Sequence, residues 1–247
     1  MLPRTFTFIF TREIDPTFDM VEIKQLSYRQ RWGLAATLHS VIFSHLRWWF
    51  GLRIYGIYSR PLEMSADPEP AMPGFSFRRF QGGDVEALIE YAKRPGLDMR
   101  EAFVREALEK GDVCHAIFFE GDIVAYNWSA FTPTQDVDGV FVGFGDNYRY
   151  GYKAFTLPEY RGLHLLQAFR LVRDRYCMVT HGRTHTIAYV AVDNRSSIHY
   201  MTSMGDRRIG FAGYLKRGPI FWPFRTPGAR RHGFRFFLPP EFSAGRE

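Results

Sequence analysis

The chain has only two cysteines in 247 residues, Cys114 and Cys177, and no CxxC pair. That usage excludes a disulfide framework and fits a reducing cytoplasm. It also lacks any run of about eighteen uncharged apolar residues, so no helix is expected to span a bilayer. Acidic residues are in deficit, 26 against 32 Lys and Arg, for a formal net charge of +6. The surplus favours an anionic partner, such as a phosphorylated cofactor, an acidic membrane surface or nucleic acid, without choosing among them. No nucleic-acid module signature and no internal repeat is present, so the basic residues read as a solvated face and no nucleic acid is expected. The opening MLPRTFTFIFTREID, a short apolar run that turns acidic, makes a poor secretory signal.

What is there is apolar and aromatic. Hydrophobic residues make up 46% and aromatic residues 17% of the chain, ample for a packed core. Residues 1–72 read as an aromatic, basic N-terminal extension and linker, and residues 73–247 as one further domain. Within the extension, Tyr28 to Arg53 has helical spacing, with Thr37, Ser40, Ser44 and Arg47 on one narrow polar stripe. Trp32, Ala36, Leu38, Ile42, Leu46 and Trp48 to Phe50 fill the remainder. So apolar a helix needs cover. The sequence leaves three choices open: packing on the following domain, a homodimer, or peripheral membrane contact through residues 28–58, at the inner face of the membrane. The stretch SADPEPAMPG, residues 65–74, has linker composition.

After it the pattern alternates between strands and helices. FSFRRF (75–80) is a strand. Residues 84–93 put Val85, Leu88, Ile89 and Ala92 on one helical face, and Asp98 is the expected cap of a second helix. Residues 114–131 read as two strands with a turn at Glu120–Asp122. GVFVGF (139–144) and YGYKAFTL (150–157) are further strands, and GLHLLQAFRLVRDRY (162–176) is an amphipathic helix. HTIAYVAV (185–192) suits a strand buried on both faces. SSIHYMTSM is a short helix ending at Gly205, and RIGFAGYL and HGFRFFL are closing strands.

Two constellations carry chemistry. Pro158, Arg161 and Gly162 stand at a strand-to-helix corner, where unpaired helix N–H groups and the positive dipole end suit an anion. Asn194 opens a helix, with Ser197 three residues on and Gly205 eleven on. Cys177, His181 and His185 have a spacing that tempts a zinc reading. The glycine between the histidines marks a turn and no second ligand pair follows, so no metal is expected.

The element order β-α-α-β-β-β-α-β-α-β-β, with those two constellations, resembles the GCN5-related N-acetyltransferase superfamily over about residues 74–220. The resemblance implies an α/β (α+β) fold: a mixed, mostly antiparallel central sheet with a splayed parallel strand pair and helices on both faces, here with an added N-terminal amphipathic helix. It implies acetyl-CoA or another acyl-CoA as co-substrate. Phe155, Thr156, Leu157, Arg161, Gly162, Leu163, His164, Leu165, Leu166, Asn194 and Ser197 would hold it. His164 and Leu166 replace small residues of the family pattern. Met201 stands where the family often has a tyrosine acid, and Tyr200 is one residue early. Asp146, His115 and Tyr200 are the candidate catalytic residues. The implied activity is acyl transfer to a primary amine. An acyl carrier protein or long-chain acyl-CoA donor, making an acylated amino acid or lipid, is one alternative. A non-catalytic cofactor- or partner-binding domain is another.

Overall fold

The structure, a computed structural model, describes residues 28–64, 72–136 and 139–239. The expected linker lies outside the described residues except for Met72 to Gly74, as does the side chain of Trp32.

Helix α1, Tyr28–Phe50, is broken at Gly33 (φ 82°, ψ 173°). Gly51 ends it in a left-handed turn (φ 66°), where a Cβ would lie 2.0 Å from the Lys216 carbonyl oxygen, so only glycine fits. The chain then enters strand β1, Leu52–Pro61. Strand β2, Phe75–Phe80, leads to α2, Val85–Ala92, and α3, Glu101–Glu109. Asp98 does not cap α3: Arg100 holds that position, and the Asp98 carbonyl accepts from the Tyr126 hydroxyl and Lys153 Nζ. Strands β3, Val113–Phe119, and β4, Asp122–Ala130, form a hairpin. Its turn residues Glu120 and Gly121 both have positive φ, matching the strand twist. Strands β5, Thr134–Gln135, and β6, Phe141–Gly143, precede β7, Tyr148–Thr156. Helices α4, Leu165–Ala168, and α5, Arg170–His181, are followed by β8, His185–Ala191. Then come α6, Arg195–Ser203, strands β9, Arg207–Arg217, and β10, Ile220–Arg225, α7, Pro227–Arg231, and β11, Arg235–Phe237.

Eight strands form one sheet in the order β10-β9-β1-β8-β7-β4-β3-β2, and β11-β6-β5 form a second. Every pairing in the large sheet is antiparallel except β7 with β8, which is the architecture the resemblance implies. Strands β6 and β11 were expected in the main sheet. Their short apolar runs pair with each other instead and cover one face of it through Val142, Phe234 and Phe236. That face also carries α2 and α3, whose Leu88, Val104 and Leu108 pack on Phe80, Tyr126 and Trp128. On the opposite face, Leu165 and Phe169 of the α4–α5 segment pack on Ile117 and Val124.

The boundary expected at residues 72/73 does not divide this fold. Strand β1 lies inside the sheet between β8 and β9, and Ile57 is fully buried in the aromatic cluster with Tyr55, Tyr150 and Tyr214. Within residues 28–58, where membrane contact was one of the choices, Tyr55 to Tyr58 are buried and most described residues of α1 are exposed or half-buried. Leu38, Ile42, Trp48 and Trp49 of α1 are exposed, and Arg47 ties its end to Asp193 at 2.9 Å. Among the described residues, no helix is long and apolar enough to cross a membrane.

Ile57→Ala removes a buried side chain from the sheet's centre. It is expected to cost roughly 2–5 kcal/mol in urea unfolding. A loss below about 1 kcal/mol would return β1 to the status of an appendage.

Candidate active site

Strands β7 and β8 pair over only three positions, Tyr148↔His185, Arg149↔Thr186 and Tyr150↔Ile187. Beyond them the two strands part. Strand β8 stays on β1 through Tyr55↔Ala191, and β7 stays on β4 through Ala125↔Thr156. The register of β4 on β7 slips between Tyr126↔Phe155 and Trp128↔Tyr152. Asn127 therefore faces two residues, Lys153 and Ala154, with Lys153 at φ 45°. Such a bulge bends the strand that carries it, and here it coincides with the parting. The result is a V-shaped notch with unpaired strand edges on both sides.

At the open end of the notch, β7 gives way to a 3-10 turn, Pro158–Tyr160. Gly162 (φ 89°) and His164 (φ 54°) are left-handed, and His164 stands directly before α4. No backbone hydrogen bond among the described residues takes up the N–H groups of Gly162 to Leu166. Gly162, His164, Leu165 and Leu166 border a groove of about 530 Å³, lined also by Phe155, Thr156, Arg161, Ser197 and Tyr200 among others. No aspartate or glutamate lines it. Arg161 donates from Nε to the Thr156 carbonyl at 3.2 Å, closing the corner. A run of free amides beside one arginine and no carboxylate suits an anion.

Ala154, Ser197 and Tyr200 are shared between this groove and a cavity of about 270 Å³ inside the notch. Met201, Met204 and Asp206 line the cavity on the α6 side. Burial pushes the Asp206 carboxyl up to about 6, against the pull of Arg60. Tyr152 and Lys153 in turn connect the cavity to a third one, of about 410 Å³, beside α3. That cavity holds Asp98, Glu106, Asp112 and Asp136. The Tyr152 hydroxyl donates to Asp112 at 2.5 Å and Lys110 pairs with the same oxygen at 2.8 Å. Burial raises the Asp112 carboxyl above its ordinary range, with Lys110 opposing. The three spaces thus adjoin one another, with Ala154, Ser197 and Tyr200 between the first two and Tyr152 and Lys153 between the last two.

Of the eleven residues expected to hold a cofactor, Phe155, Thr156, Arg161, Gly162, His164, Leu165, Leu166 and Ser197 line the groove. Leu157 is buried in the core, and Leu163 is exposed. Asn194 caps α6, accepting from the Ser197 N–H at 3.1 Å. The helix expected as one piece from Gly162 is two, broken at Phe169 (φ −90°, ψ 11°). Among the catalytic candidates, Tyr200 lines both groove and notch, and its one-residue offset brings Met201 to the notch beside it. Asp146 is exposed in the turn before β7, at the paired end of the strands and roughly 25 Å along the strand from Thr156. His115 is buried, bonded to Ser129 Oγ at 3.0 Å, and held well below its ordinary pKa by burial and by Arg173 and Arg149. It lines none of the three adjoining spaces. Asp112, Tyr152, Arg149, Arg173 and Asp206 were not anticipated. Alternation along YRYGYK, with Arg149, Gly151 and Lys153 on one face and tyrosines on the other, was the one local signal available.

No protein-family model matches the chain, and no curated protein matches it. Solved structures share its general shape. A tandem GNAT protein from the clavulanic acid biosynthesis pathway is 15% identical over 74% of this chain and 57% of its own, at a TM-score of 0.45. A GCN5-related N-acetyltransferase from Sphaerobacter thermophilus is 13% identical over 71% and 51%, at 0.42. One from Kribbella flavida is 12% identical over 77% and 64%, at 0.41. The chain thus spans between about half and two thirds of those proteins. Likeness this distant carries no chemistry; the strand order and the parting stand on their own.

Substitutions at two positions test the geometry. In a left-handed position glycine is favoured over alanine by roughly 1–2 kcal/mol, so His164→Gly is expected to be more stable than His164→Ala by about that much. Equal thermal midpoints would place His164 outside that region. Asp206, raised in the folded chain, stabilises it most below about pH 4, and that contribution is lost as pH rises through about 6. Asp206→Asn should therefore gain on the parent by up to ~3 kcal/mol between pH 4 and 6 in denaturant titrations. A pH-independent difference would contradict the shift.

Proposed function

We propose that the protein is an acyltransferase that moves an acyl group from the thioester of an acyl-coenzyme A, acetyl-CoA in the simplest case, to a primary amine. One observation carries the reading: β7 and β8 part after three pairs beside five free amide groups. The donor's diphosphate fits the amides of Gly162 to Leu166 with Arg161 alongside, and its pantetheine amides fit the unpaired strand edges. The amine enters from the cavity beside α3, whose carboxylates attract a cation. Attack forms the C–N bond and breaks the C–S bond. The amine's proton passes to Asp112 by way of the Tyr152 hydroxyl that already donates to it. Tyr200, which lines both groove and notch, supplies the proton that the leaving thiolate takes up. Positioning and proton transfer are the main contributions expected. An acyl carrier protein would present the same pantetheine arm without the nucleotide. The charged residues of the notch do not favour a long apolar chain.

Acetyl-CoA should bind in isothermal titration, and Arg161→Ala should weaken it roughly ten- to hundredfold, the effect of losing a charged hydrogen bond. Amine-dependent thiol release should fall roughly 10²–10⁴-fold in Asp112→Asn while coenzyme binding persists. Activity with an acyl carrier protein alone would move the donor to that class. A folded protein that binds neither donor at millimolar concentration refutes acyl transfer.

A further inference from the structure

The vertex of the notch holds more positive charge than its carboxylates neutralise. Arg60, Arg149 and Arg173 lie there with Asp174 and Asp206, all buried. Asp174 is hydrogen-bonded by Arg60, and Asp206 only approaches that guanidinium. Asp174 accepts from its Nη1 at 2.6 Å and from its Nη2 at 3.2 Å, and Asp206 lies 3.8 Å from its Nε. Arg173 shares Asp174 with Arg60, its Nε 3.7 Å from Oδ1. Arg149 has no carboxylate partner among the described residues. Its guanidinium donates to three neutral oxygens: Asn127 Oδ1 at 3.2 Å, Ser129 Oγ at 3.0 Å and Thr186 Oγ1 at 2.9 Å. The Nε atoms of Arg149 and Arg173 make no hydrogen bond.

The two guanidiniums also crowd each other, since both reach the same Asn127 oxygen, Arg173 at 3.5 Å. Burial, and then repulsion from Arg173, push Arg149 down to about 10, so it stays charged at neutral pH. A buried cation without a counter-ion, as Arg149 is, is costly, and more so beside a second guanidinium whose one carboxylate is shared with Arg60. An anion arriving from outside would relieve that cost. Space exists for one. Both arginines line the cavity of about 270 Å³. Gly151 makes room for the Arg149 guanidinium, whose Nη1 would lie 3.2 Å from a Cβ there.

We propose that the vertex of the notch seats a carboxylate carried by one of the two reacting substrates, with Arg149 and Arg173 as its cationic wall. The seat deepens the acyl-transfer reading and rests on it for the identity of the notch as the reaction site. A planar carboxylate matches the guanidinium fork. Two sources share that chemistry: an acyl group ending in a carboxylate on the donor, or the carboxylate of an amino-acid acceptor.

The test uses the full chain and separates the sources. Calorimetry compares succinyl-CoA with butyryl-CoA, which carries a methyl group where succinyl carries its carboxylate. Binding of succinyl-CoA about tenfold tighter or more assigns the seat to the donor. Thiol release from acetyl-CoA compares a panel of α-amino acids with their carboxamides. A kcat/KM about tenfold higher for the acids assigns it to the acceptor. Arg149→Met and Arg173→Met, checked for folding by circular dichroism, should each erase the preference while coenzyme A still binds. If one does not fold, the other decides, and the parent's preferences stand without either. Succinate alone, against sodium chloride at equal ionic strength, should raise the parent's thermal midpoint and not that of the variants, a readout independent of coenzyme A. If coenzyme A binds but neither arm shows a preference, or the preference survives both substitutions, the seat is overturned and acyl transfer stands. If coenzyme A does not bind yet succinate stabilises only the parent, the seat stands as an anion site and acyl transfer falls.

Discussion

Strand β8 can leave β7 only because it has another partner. Buried backbone N–H and C=O groups need hydrogen bonds, and β1 supplies them along the other edge of β8 in seven antiparallel pairs, Tyr55↔Ala191 to Pro61↔His185. With that edge secured, β8 runs straight on while the bulge at Lys153 and Ala154 carries β7 away with β4. The opening in the sheet is thus a consequence of how its two halves are anchored. Residues far from the corner, and outside the segment that resembles an acyltransferase, hold the notch open.

The same strand fixes the notch's floor. Arg60 of β1 binds Asp174 of α5 and lies close to Asp206 just beyond α6, all three buried. A buried ion cluster of this kind contributes little net stability, but it ties two helices and a strand to one point. The groove, the notch and the acid-lined cavity then differ in electrostatic character. Free amides without carboxylates stand at one mouth, four carboxylates stand in the cavity beside α3, and surplus guanidinium charge lies at the vertex between the halves. On the proposed reading, each would receive a different part of a reacting pair.

Much of this was legible in the residues. The spacing of Val104, Ala107 and Leu108, the β-branched run before Val192, and the Glu120–Gly121 turn each encode a local conformation that survives packing. Pro158, Arg161 and Gly162 marked the corner, and Asn194 marked the cap of α6. The aromatic stretch after Gly51 was absorbed into a helix and extension, although Ile54, Tyr55, Ile57 and Tyr58 suit a strand. Its neighbours in the sheet lie more than a hundred residues later, and no local pattern names them.

By itself, then, the sequence determined short-range matters: which segments become helix or strand, where the chain turns, and that Pro158, Arg161 and Gly162 stand at a strand-to-helix corner. Tertiary structure alone decided that β1 enters the sheet, that β7 and β8 part, and that Asp112 and Tyr152 meet. It also decided that Arg149 lies beside Arg173 without a carboxylate of its own. The reason is range: backbone preference and amphipathic period act over a few residues, whereas Arg60 meets Asp174 across 114 positions and only the folded sheet brings such charges together.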